Sequence, residues 1–426
     1  MDERAFNVVQ ELAEHIDAGV PREVADQATH ARQLFDLLSH DGGTVEPLGE
    51  LSYSKTRKAE LGTWANDPWD GPTYGVDAST TRPLEYNNGL VVDTAHAKLG
   101  VSGADADREP EQQGTVVTGV YLEDDDVTLH QETIDQGGVE GQIIRIPEMR
   151  QRTNVTSILT STVQRLAEGK HARQCLDDVD GPLFLDGSVY PLGVIYWTLL
   201  DRSGQGAPVG SWDLPKEVIK NYVEVVDTCY ERELPVLGVV KTSSMGEVTE
   251  SLREKISRNN LRGADGTLRD VPWLRDNQFM GEVLRDFSLD HLTYTSWFVQ
   301  TNVELRGESF DLLEAVGPRL NHGRPHDYRR AFCYVRTPKT GNVFRIETPA
   351  LFLTDEGQRD QIRLKALKEI ARQGDVPRAV ARADRIARIS PDNRKTIRDA
   401  LQTVEPAFDY NRDGRWSYLE DSRNYE

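Results

Sequence analysis

Residues 73–79 read TYGVDAS and residues 183–188 read LFLDGS. Each is a short apolar run closed by Asp, a small residue and Ser. Apolar runs of this length, stopped by small residues, predict buried strands. The small residue after each Asp permits a tight turn and leaves room for a ligand beside the backbone. A single Asp at a strand end is commonly a turn former or helix cap. Two in the same frame make a pattern whose meaning depends on what lies between them.

Leu90–Val101 and Gly114–Leu122 (GTVVTGVYL) predict a second and a third strand. Turn chemistry at Asn87-Asn88-Gly89 and a polar stretch at 102–113 separate them. A long helix follows over 149–177, then the 183–188 strand, a helix over 214–232 and the apolar strand Pro235–Lys241 (PVLGVVK). Meander, helix, strand, helix, strand is the order of an RNase H-like core. The fold class is therefore α/β, a mixed five-stranded sheet flanked by helices. In that core the strand after the first helix runs parallel to the first strand. Asp77 and Asp186 would then end side by side, although more than 100 residues separate them. Further helices are predicted over most of 1–60 and at 248–260, 277–287, 357–373 and 377–405, with a hairpin of 333–336 and 343–348. Residues 61–72 (LGTWANDPWDGP) read as a linker. The divisions are a helical region at 1–68, the core with its additions at 69–405, and a polar tail at 406–426.

The chain has 426 residues, 70 acidic against 50 basic, a formal charge of -20 and 38% hydrophobic residues, enough for a sizeable core. No run of about 18 apolar residues is present to form a membrane helix. The start, MDERAFNVVQELAEH, is acidic and amphipathic, unlike a signal peptide. Cys175, Cys229 and Cys333 are too dispersed for a zinc site or disulfide framework and imply a reducing cytoplasm. The basic residues comprise 12 Lys and 38 Arg. Few lysines within an acid excess suit a surface kept soluble in high salt, hence a halophilic host. Overall acidity then says little against a nucleic-acid partner. Residues 361–400 invert the balance: eleven Lys and Arg against five acids give +6, while the remaining 386 residues carry -26. Such a basic island suits a phosphate backbone, with Arg378, Arg382, Arg385 and Arg388 as contact candidates. Salt bridges between helices are its alternative reading.

A third carboxylate is expected from the first core helix. Glu168 fits, 18 residues before Asp186, with Glu148 as competitor. Asp384, in ARADRIARIS, is the acid of the basic island placed to join them. Gathered, buried carboxylates repel one another and take up protons unless a cation is present. Oxygen-only ligands suit Mg²⁺ or Mn²⁺, and two such ions activate a water and steady the leaving oxygen of a phosphodiester. No Gly-x-x-x-x-Gly-Lys-Ser/Thr loop and no strand followed by GxGxxG supports nucleotide binding. His322 and His326 flank Gly323 and Pro325 and read as loop residues. Asp409–Glu420 (DYNRDGRWSYLE) matches a calcium loop through Asp409, Asn411, Asp413 and Glu420, or is a turn-rich tail.

These residues resemble the NurA nuclease family. The resemblance rests on GVDAS at 75–79, the helix with Glu168, PLFLDGS at 182–188, DVPRAVARADRIARIS at 375–390, and a strand ending near a Lys, here Lys241. It implies an RNase H-like, Mn²⁺-dependent (or Mg²⁺-dependent) deoxyribonuclease, a 5'-3' exonuclease and single-strand endonuclease. It also implies a homodimer that works with a HerA-type helicase-translocase in DNA end resection. By position, Asp77, Glu168 and Asp186 match the family's acidic ligands, and Lys241 becomes a DNA-binding candidate. Asp384 falls where some members carry a His, and Val376 stands where some carry a Tyr. The alternative is a non-catalytic DNA-binding module docked on a translocase.

Overall fold

The structure is a computed structural model. It describes residues 3–19, 24–64, 66–86, 88–103, 110–122, 133–146, 155–191, 193–194, 213–241, 246–301, 303–305, 308–310, 313 and 317–404. Glu148 and the 409–420 stretch lie outside the described residues.

Five strands carry the centre of a mixed sheet: β1 (Thr73–Thr80), β2 (Val91–Ser102), β3 (Gly114–Tyr121), β4 (Leu183–Asp186) and β5 (Val236–Val240). Their spatial order is β3-β2-β1-β4-β5. The first three form an antiparallel meander, and β4 runs parallel to both β1 and β5. The crossover from β3 to β4 contains α1 (Val155–Gln174), and α2 (Leu214–Glu231) links β4 to β5. The parallel pairs that β4 makes with β1 and β5 thus each have a helix in their connection.

The sheet does not stop at five strands, as the sequence had predicted; among the described residues it contains 14. The free edge of β5 pairs with Val343–Pro349, which pairs with Arg330–Arg336. The free edge of β3 pairs with Val139–Arg145, which pairs with Thr133–Gln136. Added strands occupy edges whose backbone groups would otherwise lack partners. Residues 1–60 are less helical than their spacing suggests, because Val45–Pro47 and Tyr53–Arg57 are strands. They pair with Phe298–Gln300 and His291–Thr295, distant segments that no local pattern reveals.

Two helices pack on opposite sides of the central strands. α1 lies against β1, β2 and β3 through Leu159, Val163 and Leu166, all fully buried. Burying side chains of this size is worth about 1.5–3 kcal/mol each. After α3 (Glu356–Gln373), α4 (Arg378–Ala387) lies on β1 and β2. Its approach needs glycine: a Cβ on Gly75 would stand 2.4 Å from the Ala379 carbonyl carbon, and one on Gly100 2.4 Å from the Ala379 oxygen. The predicted helix over 377–405 is two helices, Arg378–Ala387 and Pro391–Val404. Pro391 explains the break, since it bars helical geometry at Ser390 and starts the next helix.

Candidate metal centre

The register of β1 against β4 pairs Tyr74 with Leu183, Gly75 with Phe184 and Val76 with Leu185. Continued by one residue, it sets Asp186 beside Asp77. Asp77 has the parity of Gly75, so it faces the side of the sheet on which α4 lies. Asp77 is only 6% exposed, and its Oδ1 accepts the Ala78 N–H at 2.8 Å. Burial, reinforced by the charges of Asp186, Glu168 and Asp384, pushes its carboxyl up to about 8. The other three predicted acids therefore all act on Asp77 of β1: Glu168 from α1, Asp186 from β4 and Asp384 from α4.

Their surroundings differ. Glu168 is fully buried. Its Oε2 accepts from Arg165 Nη1 at 2.6 Å and from the Tyr222 hydroxyl at 3.2 Å, while its Oε1 has no hydrogen-bond partner among the described residues. Burial raises its carboxyl against the pull of Arg165, and Asp186 adds to the rise. Lys241, just past β5, donates to Asp186 Oδ2 at 2.6 Å. Burial works against the Lys241 charge, but Asp186, with Asp77 and Asp384 behind it, holds the amine above its ordinary range. Asp384 is exposed on the flank of α4, reaching the others through space.

Among the described residues no three His, Cys, Asp or Glu side chains converge as a finished metal cage. Two of the four acids are instead engaged by cations of the protein itself. The donor set still fits a hard or borderline divalent ion: it is all oxygen, one buried carboxylate oxygen lacks a partner among the described residues, and Asp77 ionises reluctantly without added positive charge.

The turn after β4 is held from below. Gly187 adopts φ +131°, and Arg165 Nη1 would stand 3.0 Å from a Cβ placed there. Ser188 Oγ and the Val189 N–H both donate to Glu347 Oε2, at 2.6 and 3.1 Å. Gly238 on β5 leaves the space for this turn, since its Cβ would meet the Gly187 oxygen at 2.6 Å and the Val189 nitrogen at 2.7 Å. Sequence reasoning missed Arg165, Tyr222, Gly238 and Glu347. Arg165 was legible as the residue one helical turn before Glu168; the other three carry no local signal.

The basic island divides. Lys365 and Lys368 are buried against Asp67 at 3.2 and 2.8 Å, as structural ion pairs. Arg378, Arg382 and Arg385 line, with Arg372, a groove of about 590 Å³ beside Val101–Gly103. Ser102 pairs with Thr73, so this groove opens roughly 13 Å along β1 from Asp77. Arg388 is exposed just past α4. A larger cavity of about 870 Å³, lined by Trp69, Tyr230 and His322, opens near Pro72 and Pro235, which precede β1 and β5, and so lies away from the acids. His322 pairs there with Glu231 and His326 with Asp327, so the two histidines share no site.

A family model described as the NurA domain matches residues 71–389. No curated protein matches the chain. Among solved structures, the NurA nuclease from Sulfolobus solfataricus is 11% identical, with 95% of this chain and 97% of that one covered and a TM-score of 0.48. A structure of NurA bound to dAMP and manganese is 10% identical, with 95% and 96% covered and a TM-score of 0.40. The family match spans most of the chain and takes in all four interacting acids: this chain belongs to the NurA family.

Proposed function

We propose that this chain is a metal-dependent DNA nuclease that hydrolyses phosphodiester bonds. The observation that carries the reading is the placement of Asp77 and Asp186 at the ends of adjacent parallel strands, with buried Glu168 held nearby by Arg165, the other acids adding to the rise of the Asp77 carboxyl. Acids so arranged call for a cation. Family membership adds support for a nuclease. The strand order β3-β2-β1-β4-β5 supports an RNase H-like core within a unit spanning 69–405.

Asp77, Glu168, Asp186 and Asp384 would hold Mn²⁺ or Mg²⁺, in a pair if the centre is of the two-ion type. A bound ion supplies Lewis acidity and lowers the pKa of a coordinated water. The protein supplies the rest. Burial of Glu168 and Asp77 keeps bulk water from their carboxylates. Arg165 and Tyr222 hold Glu168 in one orientation. Glu347 and Gly238 hold the turn that carries Asp186. Arg378, Arg382 and Arg385 offer a track for the DNA backbone away from the cleavage point. The finer reading follows the family: 5'-3' exonuclease and single-strand endonuclease action at DNA ends, as a cytoplasmic homodimer with a HerA-type translocase.

The test is digestion of end-labelled single- and double-stranded DNA at high salt, with Mn²⁺ or with EDTA. Cleavage is expected with Mn²⁺ and none with EDTA, and Asp77→Ala should cost roughly a thousandfold or more in rate. DNA that is bound yet never cut, by the chain alone or with a translocase, would leave the non-catalytic module as the better description.

A further inference from the structure

Lys241 occupies an unusual position for a DNA-binding lysine. Its ammonium is turned onto the acids from a side chain that remains partly open to solvent. It lies 2.6 Å from Asp186 Oδ2 and feels Asp77 and Asp384 as well. One side-chain cation therefore serves three of the four acids, while Arg165 neutralises the fourth, Glu168, at 2.6 Å. The two cations are held differently. Arg165 is fixed from several sides: Glu168 binds it, the Asp186 carbonyl lies 3.5 Å from its Nη1, and Gly187 packs against it. Lys241 keeps a side chain 40% exposed at the end of β5, on a flexible four-carbon stem, with Asp186 as its close ion-pair partner.

We infer that Lys241 is a built-in counter-ion of the acidic centre, standing among Asp77, Asp186 and Asp384 until a divalent ion displaces it. The inference rests on the metal-centre reading above and adds a property to it: loading is an exchange of one cation for another, not the filling of an empty cage. Without Lys241, Asp186 would lose its close ion-pair partner, and Arg165 is engaged with Glu168. Burial and repulsion would then oppose a centre poised to bind. With it, the acids remain in place, at the cost of an ion pair that must break before metal enters. The same exchange frees an ammonium beside the acids, where it can meet a phosphate oxygen. A lysine still bound to Asp186 cannot do so.

The consequence runs against the usual effect of removing an active-site residue. Lys241→Met should bind Mn²⁺ more tightly than the unaltered chain. A half-exposed ion pair of this kind corresponds to about a fivefold change in affinity. Lys241→Arg, which keeps a cation, should stay near the unaltered value. A lysine that merely braced the fold would give the opposite result on removal, weaker binding or none.

The experiment is a titration of the full-length, DNA-free protein with Mn²⁺, following free Mn²⁺ by electron paramagnetic resonance. The chains compared are the unaltered protein, Lys241→Met, Lys241→Gln, Lys241→Arg and Asp186→Asn. The two neutral variants guard against one of them misfolding, which circular dichroism would reveal. Tighter binding by the folded neutral variants, with binding lost in Asp186→Asn, supports the exchange. Unchanged or weaker binding by both neutral variants, with Asp186→Asn still losing the metal, overturns the counter-ion role and leaves the metal centre standing. Mn²⁺ binding that Asp186→Asn does not disturb overturns the metal centre and this inference with it.

Discussion

Two clusters of buried charge share one sheet, and one buried carboxylate in each, Asp77 and Glu247, moves in the opposite direction to the other. At the ends of β1 and β4, burial and like charge lift Asp77 to about 8. Beyond β5, Glu247 is also buried, which alone would raise it, yet Arg330 and Arg345 bring it down to about 2. There, Arg330 reaches Glu247 at 2.6 Å and Glu347 at 3.1 Å. Arg345 reaches the same two acids at 2.6 and 3.0 Å, and its guanidinium lies 3.9 Å from the centre of the Phe332 ring. The second cluster sets two cations against these two acids, while a third buried acid, Asp276, accepts from the Tyr334 hydroxyl and from the Val248 and Thr249 N–H groups. The first has four acids, two cations and an opening to solvent at Lys241 and Asp384. Burial alone therefore does not set which way a carboxylate moves in this protein; the cations within reach of it do. Glu347 joins the two, because the second cluster grips the turn that carries Asp186.

The sharpest contrast comes from deleting one acid in each cluster. Asp186→Ala is expected to abolish DNA cleavage while leaving the melting temperature within a few degrees, since it relieves repulsion on Asp77. Glu347→Ala should instead cost roughly 3–5 kcal/mol of folding stability, because it leaves the two buried arginines, Arg330 and Arg345, sharing Glu247. Denaturant titration beside a cleavage assay checks both. A stable, inactive Glu347→Ala would dissolve the distinction between the clusters.

A smaller effect tests the link between them. Gly238→Ala puts a Cβ against backbone atoms of the turn at 2.6–2.7 Å, so the turn must shift. A shift approaching an ångström at Asp186 is expected to reduce turnover on the order of a hundredfold. Stability should fall less than in Glu347→Ala. Unaltered turnover would show that the turn is not what places Asp186.

The smallest effect is in the pH dependence of the metal-free protein. Asp77 ordinarily ionises near 3.8 but is held at about 8 in the fold, so the folded state keeps a proton that the unfolded chain releases. Its contribution to stability is complete below about 4 and is lost as pH rises toward 8. Glu247 has the reverse sign. Its contribution is present above 4.5 and is lost as pH falls toward 2. Melting in EDTA from pH 5 to 8 should therefore decline more steeply in the unaltered chain than in Asp77→Asn. Equal slopes would mean that Asp77 is not under the pressure described.

Much of the centre was legible before any coordinates. The repeated frame around Asp77 and Asp186 offers two candidate ligands, and the helix between them a third in Glu168. Strand periodicity and the small-residue stops are local properties, written in neighbouring side chains. The basic island was only half read. Arg378, Arg382 and Arg385 do line a groove, but Lys365 and Lys368 neutralise Asp67 in the interior, and charge counting cannot tell those fates apart. The strands at 45–47 and 53–57 escaped for a related reason: their partners lie more than 200 residues away.

By itself, the sequence determined which elements carry the candidate acids, because strand ends, helix faces and glycine turns follow from short-range sterics and burial. Only the tertiary structure decided how those charges are balanced. Lys241 rests on Asp186, Arg165 on Glu168, and Glu347 beneath Ser188, through contacts that span 3 to 159 residues. Electrostatic energy depends on distance in space, and separation along the chain does not record it.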